Sequence, residues 1–154
     1  MATNAIDLIT ADHEQFRRLF AEFEQATSAE RQQRAAREVL PLLEAHSRME
    51  EEIFYPALRS TDDAEAAPRM LRSFEEHALQ DRLVAELMTM PPDDDFTAKM
   101  AAMIDASVIH MREEEEHTLP LAERVLGDQL ERLGEEMAAR REQVLASLAA
   151  SGAA

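Results

Sequence analysis

Apolar residues recur at alternating intervals of three and four along most of the chain, which is the spacing of one face of an α-helix. Glycine occurs only 3 times and β-branched residues rarely cluster, so no segment is a convincing strand. The pattern predicts five helices, over about residues 4–26, 28–58, 66–89, 97–126 and 128–149. We therefore expect an all-α chain, in which an up-down-up-down four-helix bundle is followed by an additional C-terminal helix.

Cap and turn residues mark the breaks between these helices. Ser28 is a suitable N-cap for the second helix. Gly127 is placed to end the fourth helix, and Asp128 can cap the fifth. We expect a bundle of two αα-hairpins over residues 1–126, and a C-terminal helical extension with a frayed tail over residues 127–154.

Composition and charge narrow the classes of partner. The chain has 154 residues, enough for one domain, and its 16 basic and 32 acidic side chains give a net charge of −16. So acidic a surface repels phosphate groups, which argues against nucleic acid and against an anionic membrane as partners. The absence of cysteine rules out disulfide bonds and thiolate metal sites. The sequence shows no signal peptide and no membrane span, so we expect a cytoplasmic protein, with its oligomeric state left open.

The chain repeats itself at an offset of 64 residues, which covers two helices and so makes the repeating unit a helical hairpin. In each copy two histidines lie 33 residues apart, and a glutamate follows the second histidine by four positions. The segments around the second histidines read HSRMEEEIFYPAL and HMREEEEHTLPLA. The repeated residues are His13, His46 and Glu50 in the first hairpin and His77, His110 and Glu114 in the second.

These six residues lie in the apolar seams of their predicted helices. Residues four apart project from the same side of a helix, so His46 and Glu50 point the same way, as do His110 and Glu114. Counting about 1.5 Å per residue from the turns places the histidines at similar heights in the bundle. Incidental histidines in a duplicated hairpin are the alternative interpretation. A metal site explains the set better, because buried carboxylates without partners are costly and a cation offsets their charge.

The donor set indicates which metals suit such a site. Six nitrogen and oxygen donors without sulfur exceed the four ligands of a tetrahedral zinc site, and they suit two adjacent ions that share carboxylates. Glu50 and Glu114, one from each hairpin, are the natural bridges. Mixed imidazole and carboxylate ligation favours iron among the abundant metals, with manganese as the alternative.

The repeated H…HxxxE pattern resembles that of the hemerythrin-like family, the HHE cation-binding domains, over about residues 5–126. The resemblance implies a four-helix bundle that holds a non-haem di-iron centre, bridged by an oxo or hydroxo group and by carboxylates. The residues that match the family's ligand positions are His13, His46, Glu50, His77, His110 and Glu114.

One position departs from the pattern of the oxygen carriers in that family. Oxygen-carrying hemerythrins have a further histidine four residues before the third-helix ligand, and this chain has Ser73 there. The resemblance then implies that one iron keeps an open position for water, peroxide or another small molecule. Simple reversible oxygen carriage is therefore not the expected function.

Three neighbouring side chains are further candidates for the metal shell. His117 lies seven residues after His110 on nearly the same predicted helix face, and could bind the metal or hydrogen-bond to a ligand. Tyr55 could coordinate ferric iron as a phenolate, although packing at the end of the bundle is the favoured interpretation. Asp81 follows His77 by one turn and could fill the ligand gap, but a solvated carboxylate is the simpler expectation.

The leading functional hypothesis is a di-iron protein that reacts with or senses hydrogen peroxide, oxygen or nitric oxide, with catalase-like or peroxidase-like peroxide breakdown favoured over oxygen transport. A ferritin-like di-iron carboxylate protein that oxidises or stores iron is an alternative. Such proteins use two Glu-x-x-His motifs, and this chain has one, from Glu114 to His117. A third hypothesis is an iron-sensing helical interaction module that docks through its fifth helix, although packing of that helix on its own bundle is favoured.

Overall fold

The computed structural model describes residues 3–152, and within them it contains helices and turns but no strand. Two π-helical turns, Glu50–Phe54 and Glu114–Thr118, join α2 to α3 and α5 to α6 into two continuous long helices. The first hairpin is α1 with α2–α3, and the second is α4 with α5–α6. The helices are α1 (Ala5–Gln25), α2 (Ala29–Met49), α3 (Tyr55–Arg59), α4 (Ala66–Leu87), α5 (Asp94–Glu113), α6 (Leu119–Leu126) and α7 (Leu130–Ala150).

The predicted all-α bundle with an additional C-terminal helix is confirmed. The division between bundle and extension at residue 126 stays a prediction. Of the predicted frayed tail, residues 153 and 154 lie outside the described residues, and residues 151 and 152 form a turn. None of the helices among residues 3–152 is long and apolar enough to cross a membrane.

Side-chain caps fix the starts of several helices. The Ser28 hydroxyl accepts a hydrogen bond from the Arg31 amide, which confirms the predicted cap of α2. The prediction for Asp128 is wrong. Gly127 turns the chain with a φ of +43°, and residues 127–129 then form a 3₁₀ turn that includes Asp128. Helix α7 begins only at Leu130 and has no side-chain cap.

Two apolar clusters fill the interior, and the histidines of the repeat lie at the level between them. Along α1, Phe16 belongs to one cluster and Ile9 to the other, and His13 lies between these two side chains in the chain. The same order holds along α2 around His46. Apolar packing above and below therefore keeps water away from this level of the bundle.

Each π-helical turn begins at a glutamate of the repeat, and a proline lies two residues after the end of each turn. The Tyr55 amide bonds to the Glu50 carbonyl, five residues back, and the Leu119 amide bonds to the Glu114 carbonyl in the same way. Proline has no amide proton, and in an α-helix its ring clashes with the carbonyl four residues before it. A turn widened by one residue relieves that clash, and Pro56 and Pro120 each follow such a turn.

Helix α7 packs along α1 and α2 through an apolar face, as the favoured interpretation of the fifth helix predicted. Gly134 of α7 packs closely against the backbone at the start of α1. A Cβ atom on Gly134 would clash with the Thr3 carbonyl oxygen and lie 2.8 Å from the Ala5 amide nitrogen. Only a residue without a side chain allows this backbone contact. The buried residues of α7 are Leu130, Leu133, Gly134, Met137 and Val144.

We expect Gly134→Ala to destabilise the protein by about 1–3 kcal/mol, because the added methyl group meets backbone atoms that cannot move aside alone. In an ordinary helix the same change would stabilise by about 1 kcal/mol. Urea unfolding followed by circular dichroism measures the difference. The control is Ala139→Gly at an exposed position of α7, which should lose about 1 kcal/mol through helix propensity. A Gly134→Ala protein that is more stable than the parent would contradict the packing described.

Candidate metal centre

The structure brings all six residues of the repeat together in the middle of the bundle. Their candidate ligand atoms form two groups of four, and within each group all atoms lie within 4.8 Å of one another. None of the six residues is more than 6% exposed. Each group has two histidines of its own, and both groups share two glutamates. The groups are His13, His46, Glu50 and Glu114, and Glu50, His77, His110 and Glu114.

Each of the four imidazoles makes a hydrogen bond with a carboxylate through its Nδ1 atom. A carboxylate only accepts hydrogen bonds, so each Nδ1 carries the proton and donates it. The other ring nitrogen, Nε2, is then turned towards the centre of the group with its lone pair available for a metal. The Nδ1 to oxygen distances are 2.9 Å for His13 to Glu115, 3.0 Å for His46 to Asp12, 3.2 Å for His77 to Glu51 and 2.8 Å for His110 to Glu76.

Sequence reasoning missed these four carboxylates, although the repeat carried a signal for them. Asp12 and Glu76 each come directly before a histidine of the repeat, and Glu51 and Glu115 each come directly after a glutamate of the repeat. Both pairs have the same 64-residue offset as the ligands. Glu115 hydrogen-bonds across to His13 of the first hairpin, and Glu51 hydrogen-bonds in return to His77 of the second.

The residues behind these carboxylates break the symmetry of the two hairpins. The Arg17 guanidinium donates two hydrogen bonds to the Glu115 carboxylate, at 2.9 and 2.7 Å. The repeat counterpart of Arg17 is Asp81, which lies against Glu51. Burial and the neighbouring Glu51 raise the pKa of Asp81 to about 6. Asp81 therefore contacts the carboxylate behind His77 and does not belong to either ligand group.

Several buried atoms of the cluster have no hydrogen-bond partner within the described part of the chain. They include Nε2 of His13, Oε1 of Glu50 and Oε2 of Glu114. His13 Nε2 lies 3.1 Å from Glu114 Oε2, yet the two are not aligned for a hydrogen bond. Buried polar atoms are rarely left in this state. Donor atoms that point into a shared space instead of at one another fit a site for cations.

The second group gives independent support for a cation. Nε2 of His77 and Nε2 of His110 are only 2.8 Å apart. Two lone pairs at that distance repel unless a proton or a metal ion lies between them. Two imidazoles bound at right angles to one ion, with bonds of about 2.1 Å, have nitrogen atoms about 3 Å apart. The spacing of His77 and His110 therefore fits two ligands of one metal ion.

Tyr55 is fully buried, and its hydroxyl lies among the ligand atoms of the second group. Its hydroxyl oxygen lies 2.5 Å from a Glu114 oxygen and 3.0 Å from a Glu50 oxygen. It also lies 2.9 Å from His77 Nε2 and 3.2 Å from His110 Nε2. Burial and the charges of the two glutamates raise the pKa of Tyr55 well above its ordinary value, so the phenol keeps its proton. The packing role favoured from the sequence therefore describes only part of what Tyr55 does.

The wide π-helical turns explain why sequence reasoning misjudged two side chains. Within a π-helical turn, residues advance by a smaller angle than in an α-helix, which brings Tyr55 to the same side as Glu50. The same effect turns His117 away from the interior. His117 is 48% exposed, and its nearest carboxylate, that of Glu113, is 4.0 Å away. The structure thus places His117 on the surface and outside both ligand groups.

Ser73 lies on α4 one turn before His77, and it is buried with 5% exposure. A residue at this position faces the interior, as the comparison with the oxygen carriers assumed. The hydroxyl of Tyr55 contacts His77 in the same half of the site. The second group therefore has a phenol beside it and no third imidazole from α4.

In the metal-free protein, protons on the imidazoles of His46 and His110 balance the two buried glutamates. Burial lowers the pKa of His46, but the charges of Glu50 and Asp12 outweigh it and raise the pKa to about 10. At His110 burial also lowers the pKa, but the carboxylates of Glu114 and Glu76 outweigh it and raise the pKa to about 10. Burial and Glu114 raise the pKa of Glu50, yet the histidines outweigh them and lower it to about 2. Metal ions must displace these protons in order to bind.

The stability of the metal-free protein should depend on pH in a defined way. An imidazole with a folded-state pKa of about 10 and an ordinary value of 6.5 stabilises the fold fully below pH 6.5. That contribution is lost as the pH rises towards 10, so we expect the free energy of unfolding to fall by at least about 1 kcal/mol across this range. Urea titrations at several pH values measure it. An unfolding free energy that stays level or rises over this range would contradict the charge balance described.

Comparison with known proteins agrees with this geometry. Residues 4–122 match the profile of the Hemerythrin HHE cation binding domain. Among solved structures, the chain is similar to a hemerythrin HHE cation-binding domain-containing protein from Mycobacterium kansasii, with 27% sequence identity and a TM-score of 0.77 over 94% of this chain and 88% of that chain. No match was found among curated proteins. The chain therefore belongs to the hemerythrin HHE cation-binding family, and its buried cluster of histidines and glutamates is able to bind metal.

Proposed function

We propose that the protein holds two iron ions and reacts with or senses a small molecule such as hydrogen peroxide, oxygen or nitric oxide. The observation that carries this proposal is the pair of four-atom groups that share Glu50 and Glu114. One ion would be held by His13 and His46 and the other by the remaining two histidines, with both glutamates as bridges. Two buried carboxylates between two cations would be neutralised without protons.

The identity of the metal follows from the chemistry of the donors. Imidazole nitrogens and carboxylate oxygens, without sulfur, suit iron and manganese. A shared pair of carboxylates suits two ions better than one tetrahedral zinc ion. We therefore favour two iron ions, joined by an oxo or hydroxo bridge as the resemblance to hemerythrins implies, with manganese as the alternative.

A di-iron centre supplies electrons and a Lewis acid to a bound small molecule. The protein's own residues orient that chemistry. The four outer carboxylates keep each Nε2 pointed inward, and the two apolar clusters exclude water from the centre. The Tyr55 hydroxyl retains its proton and lies at the second group, so it is placed to donate a hydrogen bond to a small molecule there.

Peroxide breakdown or sensing is favoured over oxygen transport because Ser73 replaces the further histidine of the oxygen carriers. A ferritin-like function is disfavoured by the exposure of His117, which removes the only copy of the Glu-x-x-His motif from the site. Docking through α7 is disfavoured because its apolar face is buried against α1 and α2. We expect the protein to act in the cytoplasm with a small-molecule partner and without nucleic acid or membrane.

Metal analysis tests the proposed centre directly. The purified protein loaded with iron should hold about two irons per chain and show oxo-bridge charge-transfer bands in its oxidised form. His77→Ala should lower the iron content and abolish those bands, because it removes a buried donor. His117→Ala removes an exposed imidazole and should change neither. Fewer than one iron per chain, or a normal spectrum for His77→Ala, would reject the proposed centre.

Addition of hydrogen peroxide separates turnover from sensing. A catalase-like protein should release oxygen over many turnovers, and the release should disappear in His77→Ala and persist in His117→Ala. A sensor should change its spectrum once per centre and release no oxygen. The absence of both responses would exclude peroxide as the ligand and favour oxygen or nitric oxide.

A further inference from the structure

The additional C-terminal helix reaches the carboxylate that lies behind a candidate metal ligand. Arg141 of α7 donates from Nε to Asp12 Oδ2 at 3.1 Å, and its Nη2 lies 3.0 Å from Asp12 Oδ1. The guanidinium thus grips both oxygens of one carboxylate, a geometry that fixes the plane of the carboxylate. Asp12 is only 3% exposed, so it is a buried charge that requires such a partner.

The same carboxylate oxygen also holds His46. Asp12 Oδ2 accepts the Nδ1 proton of His46 at 3.0 Å. The other nitrogen of His46, Nε2, lies 3.2 Å from Glu50 Oε1 in the first ligand group. A continuous chain of polar contacts therefore runs from Arg141 on the outer helix through Asp12 and His46 to Glu50.

Arg141 differs from the two arginines that bind the equivalent carboxylates of His13 and His110. Its side chain is 20% exposed, whereas those of Arg17 and Arg72 are 43% and 66% exposed. Exposed ion pairs contribute little because water screens them. A more deeply buried, two-point contact orients its partner more firmly. Arg141 also lies beyond residues 4–122, the part of the chain that matches the family profile.

Backbone packing fixes the height of Arg141 along α1. Gly134 contacts the backbone at Ala5, and Arg141 contacts Asp12. Arg141 lies seven residues after Gly134, and Asp12 lies seven residues after Ala5. Helices α7 and α1 therefore run in the same direction and in register. The buried side chain of Met137 lies between the two contacts on α7. The position of the guanidinium therefore depends on the packing of the whole helix.

We propose that Arg141 is a positioning residue of the metal centre, which aims the Nε2 atom of His46 by holding Asp12 in place. The proposal rests on the metal site proposed above. Without Arg141, Asp12 keeps one hydrogen bond and is free to rotate or to admit water, so His46 loses its fixed orientation. The C-terminal helix then serves the site as well as the stability of the bundle.

Arg140 provides a matched control for the test. It is the preceding residue on α7, it is more exposed, and its guanidinium donates two hydrogen bonds to Glu52, at 2.6 and 3.0 Å. Arg141→Gln and Arg140→Gln therefore remove the same charge and the same type of contact. They differ in whether the lost contact leads to His46.

The first measurement is the affinity for iron(II), determined without oxygen by competition with a coloured chelator. We expect Arg141→Gln to bind iron about 10-fold more weakly than the parent, since loss of residues that orient a ligand has effects of this size. Arg140→Gln should bind as the parent does, and Arg141→Lys should recover part of the loss. In an Asp12→Asn background, Arg141→Gln should cause no further loss, because its effect passes through Asp12. Equal affinities for the two glutamine variants, or fully additive losses with Asp12→Asn, would overturn the proposal.

The second measurement uses metal-free protein and does not depend on the proposed function. Nuclear magnetic resonance of ¹⁵N-labelled histidine reports the Nδ1 proton of His46 and its rate of exchange with water. We expect faster exchange in Arg141→Gln and an unchanged rate in Arg140→Gln, with both variants folded by circular dichroism. An unchanged rate in Arg141→Gln would overturn the proposal. If the parent protein bound no iron, the proposed function would fail, and this measurement would still decide the role of Arg141.

Discussion

The hydrogen bond from each imidazole Nδ1 to a carboxylate determines the rest of the site. It fixes which ring nitrogen carries the proton, and so it turns the lone pair of each Nε2 towards the two shared glutamates. Those glutamates are fully desolvated, and a bundle can bury them only if positive charge lies nearby. The fold accordingly places apolar clusters on both sides of the metal centre and arginines on three of its four outer carboxylates.

Duplication explains the symmetry of the centre, and a few substitutions explain its asymmetry. Each hairpin supplies two imidazoles, one shared carboxylate and two outer carboxylates at the same offset. The two halves differ where Tyr55 has the repeat counterpart Leu119, and where Arg17 has the counterpart Asp81. The half of the site with the second ligand group therefore has a buried phenol and the adjacent carboxylates of Asp81 and Glu51. The half with the first ligand group has the guanidinium of Arg17 instead. Such differences allow two ions in a symmetric frame to have different surroundings.

The sequence predicted the helices and the six central residues, because helical periodicity and the 64-residue offset report directly on them. It did not predict what depends on departures from α-helical geometry. The π-helical turns bring Tyr55 to the centre and place His117 on the surface, and a regular period cannot show either. Contacts between distant helices, such as Arg141 with Asp12, also leave no trace in local spacing.

The most direct test of the account is the position of the metal in crystals of the iron-loaded protein, measured by anomalous scattering at the iron absorption edge. We expect two peaks, one bound by Nε2 of His13 and His46 and the other by Nε2 of His77 and His110, with carboxylate oxygens from both repeat glutamates at each. A single peak, a peak outside this cluster, or coordination through Nδ1 would contradict it.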